Sequence, residues 1–137
     1  MMADIDRLQK LTEILETREA TVSMIVDEVG IGTWDFDVST LSLHWNAHMR
    51  ALWGYTEDDP FLGTYDEFLS RVVDEDRDRV DSLVNSCILS GDPYRVTYRV
   101  MSPCGRVRNI IAVGKCIPTD GPPVRMVGIC IEDPSKK

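Results

Sequence analysis

Between Gly32 and Asn46 the chain reads GTWDFDVSTLSLHWN. Trp34, Phe36 and Val38 alternate with Thr33, Asp35 and Asp37. After Ser39-Thr40, Leu41, Leu43 and Trp45 alternate with Ser42 and His44. A period of two puts every second side chain on one face of a strand, so this stretch predicts two short half-buried strands joined by a turn. What precedes it has another period. No Pro or Gly interrupts residues 4–29 before Gly30. Leu8, Leu15, Val22 and Val29 hold one position of a seven-residue repeat, and Leu11, Arg18 and Ile25 hold a second. The repeat spans about three heptads, the shortest run that reads as a coiled coil. It predicts a long helix over residues 4–29 that pairs with a second copy. A helix packed on its own domain would carry the same narrow stripe. Gly30 and Gly32 end it, since glycine enters the left-handed region cheaply.

After the hairpin the spacing turns helical. Asn46 is a predicted N-cap for Ala47–Trp53, which Gly54 ends. TEDDP, Thr56 to Pro60, is a polar turn. Thr64 and Glu67 form a capping-box pattern for Tyr65–Arg71. Asp74 is the predicted cap of a helix over Glu75–Leu89. The acids Glu75 and Asp76 suit its positive end, and Val80, Leu83, Val84 and Cys87 give it an apolar face. Gly91 closes it. Then Tyr94, Val96, Tyr98 and Val100 alternate with Arg95, Thr97 and Arg99 in a strand. Ser102 to Gly105 is a turn, Val107–Ile117 a second strand, Thr119 to Pro122 another turn, and Val124–Ile131 a third strand. The expectation is an α+β domain: a five-stranded antiparallel sheet with short helices over one face, preceded by the long helix.

The 137 residues are one domain's worth of chain, and a 43% hydrophobic content suffices for one core. The net charge of −8 argues against non-specific nucleic-acid binding and against anionic membranes, both of which need clustered Lys and Arg. No apolar run nears the ~20 residues of a membrane span. MMADIDRLQK lacks a secretory h-region, so a cytoplasmic location is expected. The four cysteines are then free thiols, and no CxxC pair stands among them.

The order GTWDFDV, LHWNAHMRALWGY, YDEFLSRVVDEDRDRV, GDPYRVTYRVMSPCGRVRNI and VRMVGICIED resembles a PAS domain of the subclass common in bacterial sensor histidine kinases. Three pieces carry the likeness together: Gly32-Thr33-Trp34-Asp35, Gly54-Tyr55, and Glu75-Asp76-Arg77 followed by Tyr98-Arg99-Val100 and the Gly105 turn. The likeness runs from Ile31 to Asp133. It implies three segments: a dimerising helix over 1–30, the PAS domain over 31–133, and a tail or truncated linker over 134–137. It also implies a sensory or interaction module rather than an enzyme. Such domains hold a small ligand, a cofactor or nothing between the inner sheet face and the helices. They dimerise, often through an N-terminal helix on the outer face, and regulate a kinase, cyclase or other effector in two-component and related signalling. The chain departs from the pattern at Val73-Asp74, where His-Pro is common, at Asn109, where Trp is common, and at Asp133-Pro134-Ser135, where Asp-Ile-Thr leads into an output helix. Pro134 disfavours such a helix. The sequence therefore reads as an excised input domain or as a free-standing PAS protein.

The pocket residues expected on the inner face are Trp34, Phe36, Leu43, Met49 and Leu52, then Val84, Cys87 and Ile88, then Tyr98, Ile110, Ala112 and Ile129. Asn85, Tyr98 and Thr97 are the polar groups expected to orient a ligand. The same set is also simply a core. Ile111 and Val113 should share the opposite face with Asn109, where the N-terminal helix would cover them, so they join Leu8, Leu11, Leu15, Val22, Ile25 and Val29 as dimer-interface candidates. His44 and His48 do not share a helix face, so no metal site is expected. Haem-binding PAS domains commonly use a His on the central helix, and the resemblance places none there; Cys87 could supply a thiolate and His48 could approach from another side. Flavin photochemistry needs an Asn-Cys-Arg setting that is missing. No catalytic constellation is present. Three functions remain: a ligand-sensing input module of a kinase or cyclic-nucleotide enzyme, a ligand-free interaction adaptor, and a thiol redox sensor using Cys104 or the Cys116/Cys130 pair.

Overall fold

A computed structural model describes residues 28–117, 120–121 and 125–136, together with residues 6, 9, 10, 20, 21, 24 and 26. The chain divides into two compact units, Met1–Gly30 and Ile31–Lys137. In the first, Val29 is helical and Gly30, at φ 78°, donates its N–H to the Val26 carbonyl at 3.0 Å. Of the heptad positions only Val29 is described; Leu8, Leu11, Leu15, Arg18, Val22 and Ile25 lie outside the described residues, as do Thr119, Pro122 and Val124 of the last expected turn.

The second unit follows the expected order. It contains β1 (Gly32–Asp37), β2 (Ser42–Trp45), α1 (Ala47–Leu52), α2 (Tyr65–Arg71), α3 (Asp74–Ser90), β3 (Tyr94–Met101), β4 (Val107–Cys116) and β5 (Arg125–Glu132). The five strands form one sheet in the order β2-β1-β5-β4-β3. All neighbours are antiparallel. β5 is the central strand, and β1 and β5 are neighbours although they come first and last.

Local chemistry sets the helix starts. Asn46 accepts from Met49 N at 2.8 Å and also from Thr33 N at 2.9 Å, so one side chain caps α1 and ties it to β1. Thr64 accepts from Glu67 N at 3.1 Å, but the Glu67 carboxylate goes to Leu62 N and the Tyr55 hydroxyl instead of closing the box. Asp74 is not the cap of α3. It lies inside the helix, Val73 precedes it, and no side chain caps that end. The reason is Asp76. It accepts from Arg99 N at 2.9 Å and from the Arg99 guanidinium at 3.1 and 3.0 Å, which fixes the start of α3 to β3 directly. Gly91 ends α3 at φ 77° as expected.

The helices cover one face of the sheet. Trp53, Met49, Val72, Val80, Val100, Ile110, Met126 and Cys130 are essentially fully buried. Each large apolar side chain among them contributes about 1.5–3 kcal/mol relative to exposure. On β4, Ile110 and Ala112 point into the core, while Asn109, Ile111 and Val113 take the other face, as the alternation predicts.

Candidate functional site

The inner face and the helices enclose a small cavity of about 30 Å³. β1 supplies Trp34 and Phe36, β2 supplies Leu43 and Trp45, and α1 supplies Met49. α2 adds Tyr65 and Phe68, α3 adds Val84, and the remaining strands add Tyr94, Tyr98, Ala112 and Met126. Seven of these were expected from the sequence. Trp45, Tyr65, Phe68, Tyr94 and Met126 were not, although the period-two alternation of Tyr94 with Tyr98 was a usable signal.

Some expected pocket residues stand elsewhere. Ile129 faces outward and keeps 38% of its surface, because Cys130 and Met126 take the inner phase of β5. Asn85 is exposed on α3 and donates to Asp81. Thr97 is on the outer, exposed phase of β3. Ile110 and Cys87 are buried, and Leu52 and Ile88 pack against the core, but none of the four lines the cavity.

The cavity is small because Trp34 fills the space. Its indole lies across Gly114 of β4 and Gly128 of β5, which face each other in the ladder. A Cβ built on Gly114 would come within 2.6 Å of Trp34 Cζ2. The ring therefore sits where side chains of the two strands would otherwise be. Tyr94 packs edge-on against it, with centroids 5.7 Å apart. Phe36 and Tyr65 stack on each other with centroids 5.0 Å apart. Small-molecule pockets run to roughly 300–1,000 Å³, so this volume suits one or two waters and not a haem or a flavin. Neither group fits between Trp34 and the helices as they are packed.

The polar groups here are few and un-ionised. Tyr65 donates to Asp81 Oδ1 at 2.8 Å, and burial followed by that carboxylate raises its pKa. Burial likewise raises Tyr94 and Tyr98. The Tyr98 hydroxyl lies 4.0 Å from Cys130 Sγ. Burial pushes the Cys130 thiol up to about 12. Trp53 Nε1 is buried with no hydrogen-bond partner among the described residues, and the Trp34 indole N–H has the Cys130 sulfur as its neighbour. A wall of neutral phenols and indoles holds no base or nucleophile ready near neutrality.

The thiols separate into two kinds. Cys130 pairs opposite Ala112, whereas Cys116 pairs opposite Met126. The two positions are four steps apart along the ladder, roughly 13 Å at the usual rise, which a disulfide cannot span. The Cys116/Cys130 pair is therefore not a redox pair in this fold. Burial raises Cys87 and Cys116. Cys104 differs: it is exposed in the turn, 3.1 Å from Ser102 Oγ, and that hydroxyl followed by the Arg106 N–H lowers its pKa. Among the described residues no cluster of three metal-ligating side chains exists, and no helix is long and apolar enough to cross a membrane.

On the outer face, Ile111 pairs with Ile131 and Val113 with Ile129. Together they make an apolar strip along the middle of the sheet. Ile129 and Ile131 remain exposed within it.

Comparison with known proteins places this architecture. The chain is 39% identical over 75 residues to the Sensor protein FixL of Bradyrhizobium diazoefficiens, a stretch of 55% of this chain and 14% of that one. It is 28% identical over 140 residues to a Blue-light-activated histidine kinase of Brucella anthropi, 95% of this chain and 28% of that one. It thus spans a small part of these relatives. A sensory box histidine kinase/response regulator from Burkholderia thailandensis has the same fold, with a TM-score of 0.71 at 24% identity over 84% of this chain and 86% of that one. A family model described as PAS fold matches residues 42–130. The chain is a PAS domain, related to the sensor domains of histidine kinases.

Proposed function

We propose that this chain is a cytoplasmic signalling module that dimerises and regulates a partner kinase or cyclic-nucleotide enzyme through protein contacts, with its core filled by its own side chains. It has no catalytic activity of its own. The observation that carries this reading is Trp34, whose ring lies against Gly114 and Gly128 and leaves about 30 Å³ open. A core this full transmits a change by shifting strands and helices against each other. The apolar strip of Ile111, Val113, Ile129 and Ile131 supports a dimer contact on the outer face. Its relatives, a sensor protein and a blue-light-activated histidine kinase, support the kind of partner.

Native mass spectrometry on protein purified without added cofactor tests this. The expected result is the mass of two chains and nothing more. An added mass that disappears on denaturation would overturn the filled core.

A further inference from the structure

A sheet of this kind has two edges, and this one protects most of both. On β2, Leu43 donates its N–H to the Gly63 carbonyl at 2.8 Å, and Tyr65 N–H reaches the Leu41 carbonyl at 3.0 Å. The segment before α2 thus lies along that edge. On β3 the far half is also occupied. Val73 N–H donates to the Arg99 carbonyl at 3.0 Å, and Arg99 N–H donates to Asp76 Oδ2 at 2.9 Å. Arg99 therefore turns both backbone groups away from β4. In an antiparallel ladder alternate residues face the same side, so Arg95 and Thr97 turn theirs away from β4 as well. Nothing lies along this near half of β3 among the described residues. Instead, a groove between α3 and β3 opens beside it, lined by Arg79, Ser82, Leu83, Arg95, Val96 and Thr97.

We propose that the Arg95–Thr97 edge of β3 takes an extended acidic segment of a partner protein as a sixth strand. Two N–H and two C=O groups offer it a backbone ladder. Leu83 and Val96 give apolar contact at the groove. The charge is the specific part: two arginines line the groove and no carboxylate does. Among the described residues Arg79 is ion-paired with Asp76, at 3.5 Å, and that carboxylate is already held by Arg99 on two of the guanidinium nitrogens. In a chain of net charge −8 this is an unusual place. A charged edge residue such as Arg95 also keeps copies of the same sheet from pairing edge to edge. That role needs only repulsion between like charges. It does not require that an acidic strand bind, so the two are separable.

This inference goes beyond the proposed function and does not depend on dimerisation. The test uses the full chain, labelled with ¹⁵N, and a blocked peptide alternating glutamate and valine. A peptide alternating lysine and valine is the control. Amide shifts should concentrate on Arg95, Thr97 and the facing turn of α3. The glutamate peptide should bind at least about tenfold tighter than the lysine peptide, the scale of one well-placed charge contact. Thr97→Pro removes one outward N–H that the β4 ladder does not use, a position where edge strands tolerate proline. It should abolish binding. The double variant R79E/R95E, which leaves the backbone alone, should reverse the preference between the peptides and settles the matter if Thr97→Pro does not fold. No shifts, equal binding of the two peptides, or full affinity in a folded Thr97→Pro protein would overturn the proposal.

Discussion

A methyl group added at Gly128 would run into the Val113 carbonyl oxygen and the Trp34 ring at once. The first obstacle is backbone and cannot swing away. Gly128→Ala should therefore destabilise the domain by about 1–3 kcal/mol, the usual cost of overpacking, read from urea denaturation midpoints. At Gly121 the same added atom meets nothing. Cys104 makes the opposite case, a residue defined by access. Its thiol is exposed and its pKa is lowered by Ser102 and Arg106, whereas burial raises the other three. Iodoacetamide in limiting amount should alkylate Cys104 first, and the labelling rate should reach its half-maximum at a pH below that of a free thiol, about 8.5. Peptide mapping by mass spectrometry checks both. Appearance of the adduct on Cys116 first would refute the assignment.

At the scale of an element, α3 is held at its start by a tertiary contact rather than a cap. The Arg99 hydrogen bonds keep the Asp76 carboxyl below its ordinary range. A depressed carboxylate stabilises the fold at pH above its unfolded value, about 4, and the gain is lost as pH falls through the folded value. Asp76→Asn should lower the urea midpoint at pH 7, and the gap between variant and parent should shrink by pH 3. An unchanged gap would mean that shape rather than charge holds the contact. This contact also shows where reading the sequence stops. Asp74 looked like the cap because Ser, Thr, Asp and Asn favour that position; the partner that overrides it lies on β3, 23 residues downstream of Asp76. By contrast the capping bonds of Asn46 and Thr64 and the turn at Gly91 are local, and they were legible, although the second bond of Asn46, to Thr33, was not. Strand alternation was legible for the same reason: it depends on neighbours in the chain. It erred at Ile129, because a strand whose two faces are both apolar, VRMVGICIE, does not declare its phase.

For the whole molecule the order of elements was readable and the volume of the cavity was not. That volume depends on one ring meeting glycines of two other strands in register, which no single stretch of sequence contains. The surface is more predictable. Ile131 keeps 42% of its area, so Ile131→Asp should cost little stability. If the outer strip is the dimer contact, the variant should run as a monomer in light scattering while keeping its circular dichroism spectrum. A dimer that survives the change would move the contact elsewhere.

The position of β5 has a consequence for synthesis. β1 pairs with β5 from Gly32↔Cys130 to Asp37↔Arg125, and β5 also pairs with β4. The hairpin of β1 with β2 and the hairpin of β3 with β4 have no other sheet contact with each other. A chain emerging from the ribosome can form both hairpins early, but it cannot hydrogen-bond them into one sheet until β5 has cleared the exit tunnel. Until then Phe36 and Ile110 belong to separate halves, each with an unsatisfied strand edge. The sheet therefore stays in two pieces while everything before β5 is translated, and its closure falls after decoding of the β5 codons.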